Sequence, residues 1–296
     1  MEMLFQNLLV GISIGSIYSL IGLGIIIIYK STRIFNFAIG GVVALSSFIF
    51  VSLVAYFNVS LPVLMLLTMI IGLAMGFGAE RVFLRPMIGQ PLLASVMMTL
   101  ALGVIFEGLV FLIGKGRHIA FPSLFETDKV SLGSISISTT YLFIIISVVV
   151  LFILLSLFFK YTKIGLGMRA AAEDHQVAQS KGVRVTMVFG VSWGICLMIC
   201  GICGILLGSV TGSASHMLVL IALKAFPVVL CGGLESFLGC LIMGPVMGIV
   251  EILSVAYLGS LIPWAGFDEV SPYIVMLLIM IFKPEGLFGL KIIERI

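Results

Sequence analysis

Three kinds of residue would carry chemistry in a chain of this sort, and the first is histidines and cysteines that bind a metal or shuttle electrons. His118, His175 and His216 lie in different segments, and no His-Glu-x-x-His pair or Cys/His cluster has ligand spacing. Cys200-Gly-Ile-Cys203 has the spacing of a redox motif. It sits, like Cys196, Cys231 and Cys240, in a strongly apolar stretch without basic neighbours to activate a thiol, so these cysteines read as small packing residues. The second kind, a Gly-x4-Gly-Lys-Ser/Thr phosphate loop, does not occur, so the chain has no such route to binding and hydrolysing a nucleotide. No catalytic residue, metal ligand or cofactor is expected in this chain. If ATP powers its work, ATP and Mg are bound by another subunit.

The third kind is the polar group stranded among apolar residues, which is costly in lipid and therefore informative. Glu107 lies deep in the apolar run 93–113 and must be protonated, paired or turned to a wet cavity. Lys224 could snorkel to an interface or meet Glu107 or Glu251, and the sequence does not choose between them. Asn36 could cap a half-helix or line a path through the membrane. Ser13, Ser16 and Tyr18 lie on a glycine-rich segment, where their hydroxyls could face a polar solute or serve only as packing. These six, Ser13, Ser16, Tyr18, Asn36, Glu107 and Lys224, are the candidate lining of a translocation path.

The elements that must position these residues can be read from composition. The 296 residues are 61% hydrophobic and 10% charged, with a mean hydropathy of +1.31, whereas a soluble domain is about 25% charged. So few charges cannot cover a soluble surface of this size, and so much apolar surface excludes disorder. The net charge of +3, from 16 basic and 13 acidic residues, is too small and dispersed to point to nucleic acid. The reading is an all-α, polytopic transmembrane helical bundle, in effect a single domain over 1–296. The opening residues resemble the lead-in to a first span, without the basic region or cleavage site of a signal peptide.

Apolar runs bounded by charges place spans near 6–28, 35–56, 61–79, 93–113, 139–159, 187–210, 216–233, 236–258 and 270–283, the seventh and ninth being the shortest. Alternate connections then collect 12 of the 16 basic residues, from Lys30 and Arg33 to Lys283, Lys291 and Arg295. Lys115, Arg117 and Lys129 fall on the other side. Because cytoplasmic loops carry the basic excess, the N-terminus is expected outside and the C-terminus inside. Charge parity favours nine spans. Eight remain open if 216–233 is re-entrant, or if Asn36 to Gly41 breaks the second span.

Two connections are long enough for structure of their own. The outer one, 114–138, reads as a loop with a short strand or half-helix. In the inner one, 160–186, residues from Gly167 to Gln179 combine helix formers with Arg169, Glu173 and Gln176, and Lys181-Gly182 closes them as a C-cap. A short amphipathic helix is expected there, either docking a partner or lying on headgroups. Small residues stripe the spans at Gly11 and Gly15, Gly72 and Gly76, Gly201, Gly204 and Gly208, and Gly244 and Gly248, the spacing of close helix packing.

The whole pattern resembles the permease subunits of bacterial and archaeal branched-chain amino acid ABC importers, of the shorter of two homologous types. The resemblance rests on Gly11-x3-Gly15-Ser16-x-Tyr18, Ile34-Phe35-Asn36-Phe37-Ala38-x-Gly40 and Glu80-Arg81-x3-Arg85-Pro86. It continues through Gly165-x-Gly167-Met168-Arg169-Ala170-x3-Asp174 to Gly182-Val183, then Lys224-Ala225-Phe226 and Lys283-Pro284-x-Gly286-Leu287-Phe288-Gly289. Ile39 and Cys231 depart from the usual pattern. The resemblance implies a cell-membrane permease paired with a second, homologous permease subunit, two cytoplasmic ABC ATPases and an extracytoplasmic solute-binding protein. It implies that the inner loop docks into the ATPase through Gly167, Arg169, Ala170, Glu173, Asp174 and Gly182. Arg169 and Asp174 would orient the coupling helix or contact the ATPase, and Gly182 would end it. A branched-chain or related amino acid is the implied solute. The rival is an ion-coupled secondary carrier or channel for a small polar solute such as urea or an amide, with Glu107 and Lys224 as its coupling charges.

Overall fold

The computed structural model describes residues 2–125, 129–132, 135–173, 175–258 and 267–289. Long apolar helices dominate, as they must where no water can satisfy the backbone. In chain order they are α1 (Glu2–Thr32), α2 (Ile39–Tyr56), α3 (Leu61–Ala79) and α4 (Leu92–Gly114). Strands β1 (Ile119–Ala120), β2 (Lys129–Leu132) and β3 (Ile135–Ser138) precede α5 (Thr139–Tyr161). Next come α6 (Lys163–Glu173), α7 (His175–Ser180), α8 (Val185–Thr211) and β4 (Ser213–Ala214). The chain continues through α9 (Met217–Leu223), α10 (Ala225–Gly232), α11 (Phe237–Leu253) and α12 (Phe267–Phe282).

Among the described residues, seven helices are long and apolar enough to cross a membrane, and the chain is accordingly a multi-pass membrane protein. The expected count of eight or nine is not reached by length alone. The shortfall falls on the two segments that read as shortest: the seventh is broken into α9 and α10 at Lys224, and the ninth, α12, has 16 residues. The expected inner helix also differs. It begins at Lys163 rather than Gly167, and the described helical residues are Lys163–Glu173 and His175–Ser180. The earlier start comes from Thr162, whose hydroxyl accepts the Gly165 N–H at 3.0 Å and so caps a helix at the very beginning of the inner connection. Of the strand or half-helix left open in the outer connection, the described residues form strands, β2 pairing with β3 with Lys129 opposite Ser138.

The chain forms two compact units. One comprises residues 27–124 and 151–223. Its centre is the contact of α8 with α3 and α2. A Cβ at Gly76 would land on the backbone of Trp193, and one at Gly204 on that of Val43 and Ser47, so glycine is what lets these backbones meet. At the end of α3 the buried Glu80 pairs with Arg85, Oε2 to Nη2 at 3.1 Å, across a π-helical turn at Glu80–Leu84. At another edge β1 pairs antiparallel with β4, and the Phe121 ring stacks on Phe50 with centroids 5.4 Å apart.

The other unit comprises residues 1–26, 125–150 and 224–296. Here α1 crosses α11 through facing glycines: a Cβ on Gly15 would strike Gly244, and one on Gly248 would strike Gly11 and Gly15. Ser19 donates its hydroxyl to the Cys240 carbonyl at 2.9 Å, closing the same seam with a hydrogen bond. Ser236 caps α11 by accepting the Gly239 N–H at 3.0 Å, and Glu235 lies in the turn before it. The five cysteines are all free and buried.

Candidate functional site

The inner connection is a folded element with defined ends. Thr162 bonds to the last turn of α5, donating to the Phe158 carbonyl at 2.7 Å while it caps α6. Gly165 permits the closest approach, since a Cβ there would sit 2.6 Å from the Phe159 carbonyl oxygen. The Arg169 guanidinium donates back to that same Phe159 carbonyl. Arg169 thus fastens α6 to α5 rather than reaching freely away from the protein. At the far end Gly182 adopts φ +86°, the Val183 N–H reaches the Ala178 carbonyl at 3.0 Å and the Gly182 N–H reaches Gln179 at 2.9 Å. These are the paired bonds of a Schellman motif, so Gly182 does terminate the segment. Gly167 and Ala170 line an open groove of about 700 Å³ with Leu166, Val183, Met187 and Val188. Glu173 is exposed. Asp174 lies outside the described residues, as do Lys291 and Arg295 of the tail.

Asn36 occupies the break between α1 and α2. Fully buried, it accepts the Ala38 N–H at 3.0 Å on Oδ1, and its Nδ2 points at the Cys196 sulfur 3.8 Å away. The Ala38 bond closes a turn within the break, and the N-cap position of α2 is Ala38, which supplies no side-chain bond of its own. Thr99 of α4 supports the same break by donating to the Phe35 carbonyl at 3.0 Å.

Lys224 stands at the N-cap of α10, and its ammonium meets Glu251 Oε1 at 2.7 Å. The Tyr18 hydroxyl donates to Glu251 Oε2 at 2.9 Å. Both charged side chains are nearly enclosed, 7% and 11% exposed, so the pair is an internal ion pair and not a snorkelling lysine. The choice that the sequence left open between Glu107 and Glu251 therefore falls to Glu251. Ser13 and Ser16 are buried on the same helix as Tyr18, but their hydroxyls are spent on the Leu9 and Ile12 carbonyls at 2.8 and 2.6 Å. Glu107 is half-buried at the margin of the packed face of α4 and has no hydrogen-bond or ion-pair partner among the described residues.

A sequence model for the permease component of branched-chain amino acid transport systems matches residues 7–283. The chain belongs to that permease family. It is 28% identical to the high-affinity branched-chain amino acid transport system permease protein LivH of Salmonella typhimurium, over 98% of this chain and 97% of that protein. The corresponding permease BraD of Pseudomonas aeruginosa is 27% identical over the same shares. Among solved structures, PsaBC from Streptococcus pneumoniae in complex with Fab superposes with a TM-score of 0.52, covering 95% of this chain and 91% of that one. At 13% identity that likeness concerns fold alone.

Within this permease-family chain, Tyr18 and Lys224 are brought to one place, while Asn36, Glu107 and the loop residues Gly167, Arg169 and Ala170 belong to other surroundings. Sequence reasoning passed over Thr99, an unremarkable polar residue in an apolar run, and counted Arg33 only as a cytoplasmic charge. A buried threonine hydroxyl usually bonds within its own helix, so nothing local marks the one that also supports a loop far away in sequence.

Proposed function

We propose that this chain is a permease subunit of an ATP-powered importer for branched-chain or related amino acids, forming half of the translocation path. The carrying observation is the match to the permease family along residues 7–283, together with an inner connection built as a capped, fastened element instead of a slack loop. In this reading 160–186 is the cytoplasmic coupling loop and 114–138 the extracytoplasmic loop. Two ABC ATPases bind ATP and Mg and dock against α6 and α7. A second homologous permease completes the path, and an extracytoplasmic binding protein delivers the solute.

Physical coupling requires that ATP binding favour one permease conformation through contacts that differ between states. The capped ends suit this role, because a rigid segment passes displacement on where a flexible one absorbs it. Arg169 sets the angle of α6 against α5, while exposed Glu173 and its neighbour Asp174 are the groups offered to the ATPase. Tyr18, Lys224 and Glu251 form a buried polar cluster beside the path. Ser13 and Ser16 act in helix packing, and Asn36 shapes the entry to α2.

The test is recovery of the complex from native membranes under mild extraction, with mass spectrometry of the bound proteins. Co-purification of a second permease and phosphate-loop ATPases is the expected result, and charge reversal at Glu173 or Asp174 should release the ATPases or lower substrate-stimulated hydrolysis without lowering permease abundance. A permease that emerges alone, under conditions where known complexes survive, and that transports after reconstitution by itself would support the ion-coupled carrier instead.

A further inference from the structure

Arg33 comes directly after the last residue of α1 and holds a backbone conformation that side chains other than glycine, asparagine and aspartate rarely adopt, with φ +58°. A position of this kind usually belongs to glycine. Here it carries a guanidinium, two of whose contacts bear on the inner connection and the end of α1. Its carbon lies 5.6 Å from the centre of the Tyr29 ring, and its Nε donates to the Ala172 carbonyl at 3.1 Å. Ala172 is in the last turn of α6, where the helix leaves carbonyls without partners of their own and welcomes a cation. The inner connection is therefore held at two places: near its start by Arg169 on α5, and at the end of α6 by Arg33.

The five residues after Arg33 are the break before α2, and they are anchored at two further points, Thr99 of α4 on the Phe35 carbonyl and Asn36 facing Cys196 of α8. Arg33 is thus the joint between α6 and a short non-helical segment that starts α2 and touches α4 and α8. A displacement of α6 must either break the Nε–carbonyl bond or move that segment.

We propose that Arg33 is a positioning residue of energy coupling: it ties the end of α6 to the Asn36 break, so that movement of the coupling loop is delivered to the inner end of α2. The proposal rests on the reading of 160–186 as the ATPase-docking loop. It gives the unusual backbone a purpose, since a residue in that conformation points its side chain where a relaxed one would not, and strain of this sort persists where surrounding structure enforces it.

The backbone also supplies a clean variant. Arg33→Gly suits φ +58° and removes the guanidinium without straining the chain, and Arg33→Asn is a second residue that tolerates it. Each is assembled with the partner subunits, reconstituted in nanodiscs and proteoliposomes, and assayed with L-leucine and the binding protein. The expected result is unchanged subunit composition and basal ATP hydrolysis, with leucine-stimulated hydrolysis and uptake reduced about tenfold, within the usual range of coupling between sites. Arg33→Lys, which keeps a cation over Tyr29 but lacks the planar Nε donor, should fall between. Stimulation at the wild-type level in Arg33→Gly overturns the proposal. So does failure of both Arg33→Gly and Arg33→Asn to accumulate, which would make Arg33 a folding residue. Charge reversal at Glu173 in the same assay separates the two ideas: if it abolishes stimulation while Arg33→Gly does not, only the role of Arg33 fails, and if it leaves ATPase binding and stimulation intact, the docking reading itself fails.

Discussion

Lys224 and Glu251 sit 2.7 Å apart with little exposure, and Tyr18 holds the second carboxylate oxygen. Neither charge would be tolerated alone among apolar helices, so each is the condition for the other. Glu251→Gln should destabilise the fold by about 3–5 kcal/mol by leaving a buried ammonium unpaired, and Lys224→Met by a similar amount. The double variant Lys224→Met/Glu251→Leu should recover much of that loss, because a well-packed apolar pair often matches a buried ion pair in stability. Tyr18→Phe should cost about 1.5–3 kcal/mol, the value of a hydrogen bond to a charged group. Melting of the detergent-purified permease, read by size-exclusion chromatography after heating, measures all four. Uptake then reads the function: a double variant that is stable yet transports poorly assigns the pair to the path, and one that is stable and active makes it a structural staple. At this scale the sequence exposed which residues were out of place but not whom they met. Lys224 was conspicuous because it interrupts an apolar run, whereas its choice of Glu251 over Glu107 depends on how α10 and α11 pack side by side.

At the scale of elements, local chemistry was readable where it is written in adjacent residues. Lys181-Gly182 ends a helix because glycine alone adopts φ +86° without penalty and lets two N–H groups turn back on the last carbonyls. The glycine stripes were readable too, and Gly15 and Gly244 meet as the spacing implied. The start of α6 was not, because Thr162 looks like one more polar residue after a span until its hydroxyl is seen bonded both to Phe158 and to Gly165. Nor was Arg33, whose bond to Ala172 crosses 139 positions of sequence. The capping geometry makes its own prediction. Gly182→Ala places a Cβ in a left-handed conformation at about 1–2 kcal/mol, and Gly182→Asn should cost less. Hydrogen exchange should quicken at Val183 and Gly182, whose N–H groups make the terminal bonds, while amides in α3 and in the centre of α8 keep their protection. If coupling needs a stiff segment, ATPase stimulation falls in the same order as that protection, Ala below Asn below Gly.

For the whole molecule, the path of the chain through the membrane turns on two segments. An α-helix rises 1.5 Å per residue, so the 16 residues of α12 reach roughly 24 Å against a hydrocarbon core of about 30 Å. The 217–232 segment has the same length but is broken at Lys224. Hydropathy registers both as apolar and cannot tell a short crossing from a segment that turns back, because the difference lies in what covers their ends. The basic residues supply an independent argument. Nine crossings put Lys283 on the side of Lys163 and Arg184, as the excess of positive charge in cytoplasmic loops requires, whereas a re-entrant seventh segment would put Lys283 with Lys115 and Arg117. Nine is therefore expected, with the N-terminus outside and α12 entering the cytoplasm. The buried state of all five native cysteines makes this measurable in the otherwise unaltered protein, because an impermeant maleimide finds little to react with. Exposed positions supply the probes: Arg117→Cys for the expected outer face, Lys163→Cys for the inner one and Glu285→Cys for the end of the last helix. In intact cells Arg117→Cys should label at once, and Lys163→Cys and Glu285→Cys only after permeabilisation. Labelling of Glu285→Cys in intact cells alongside Arg117→Cys, with Lys163→Cys still protected, would reduce the count to eight and make 217–232 a segment that enters and leaves by the same face. Lys224 would then stand at the turning point of that loop, paired with Glu251 for the same reason that a broken helix anywhere in a membrane must satisfy its exposed polar groups within the protein.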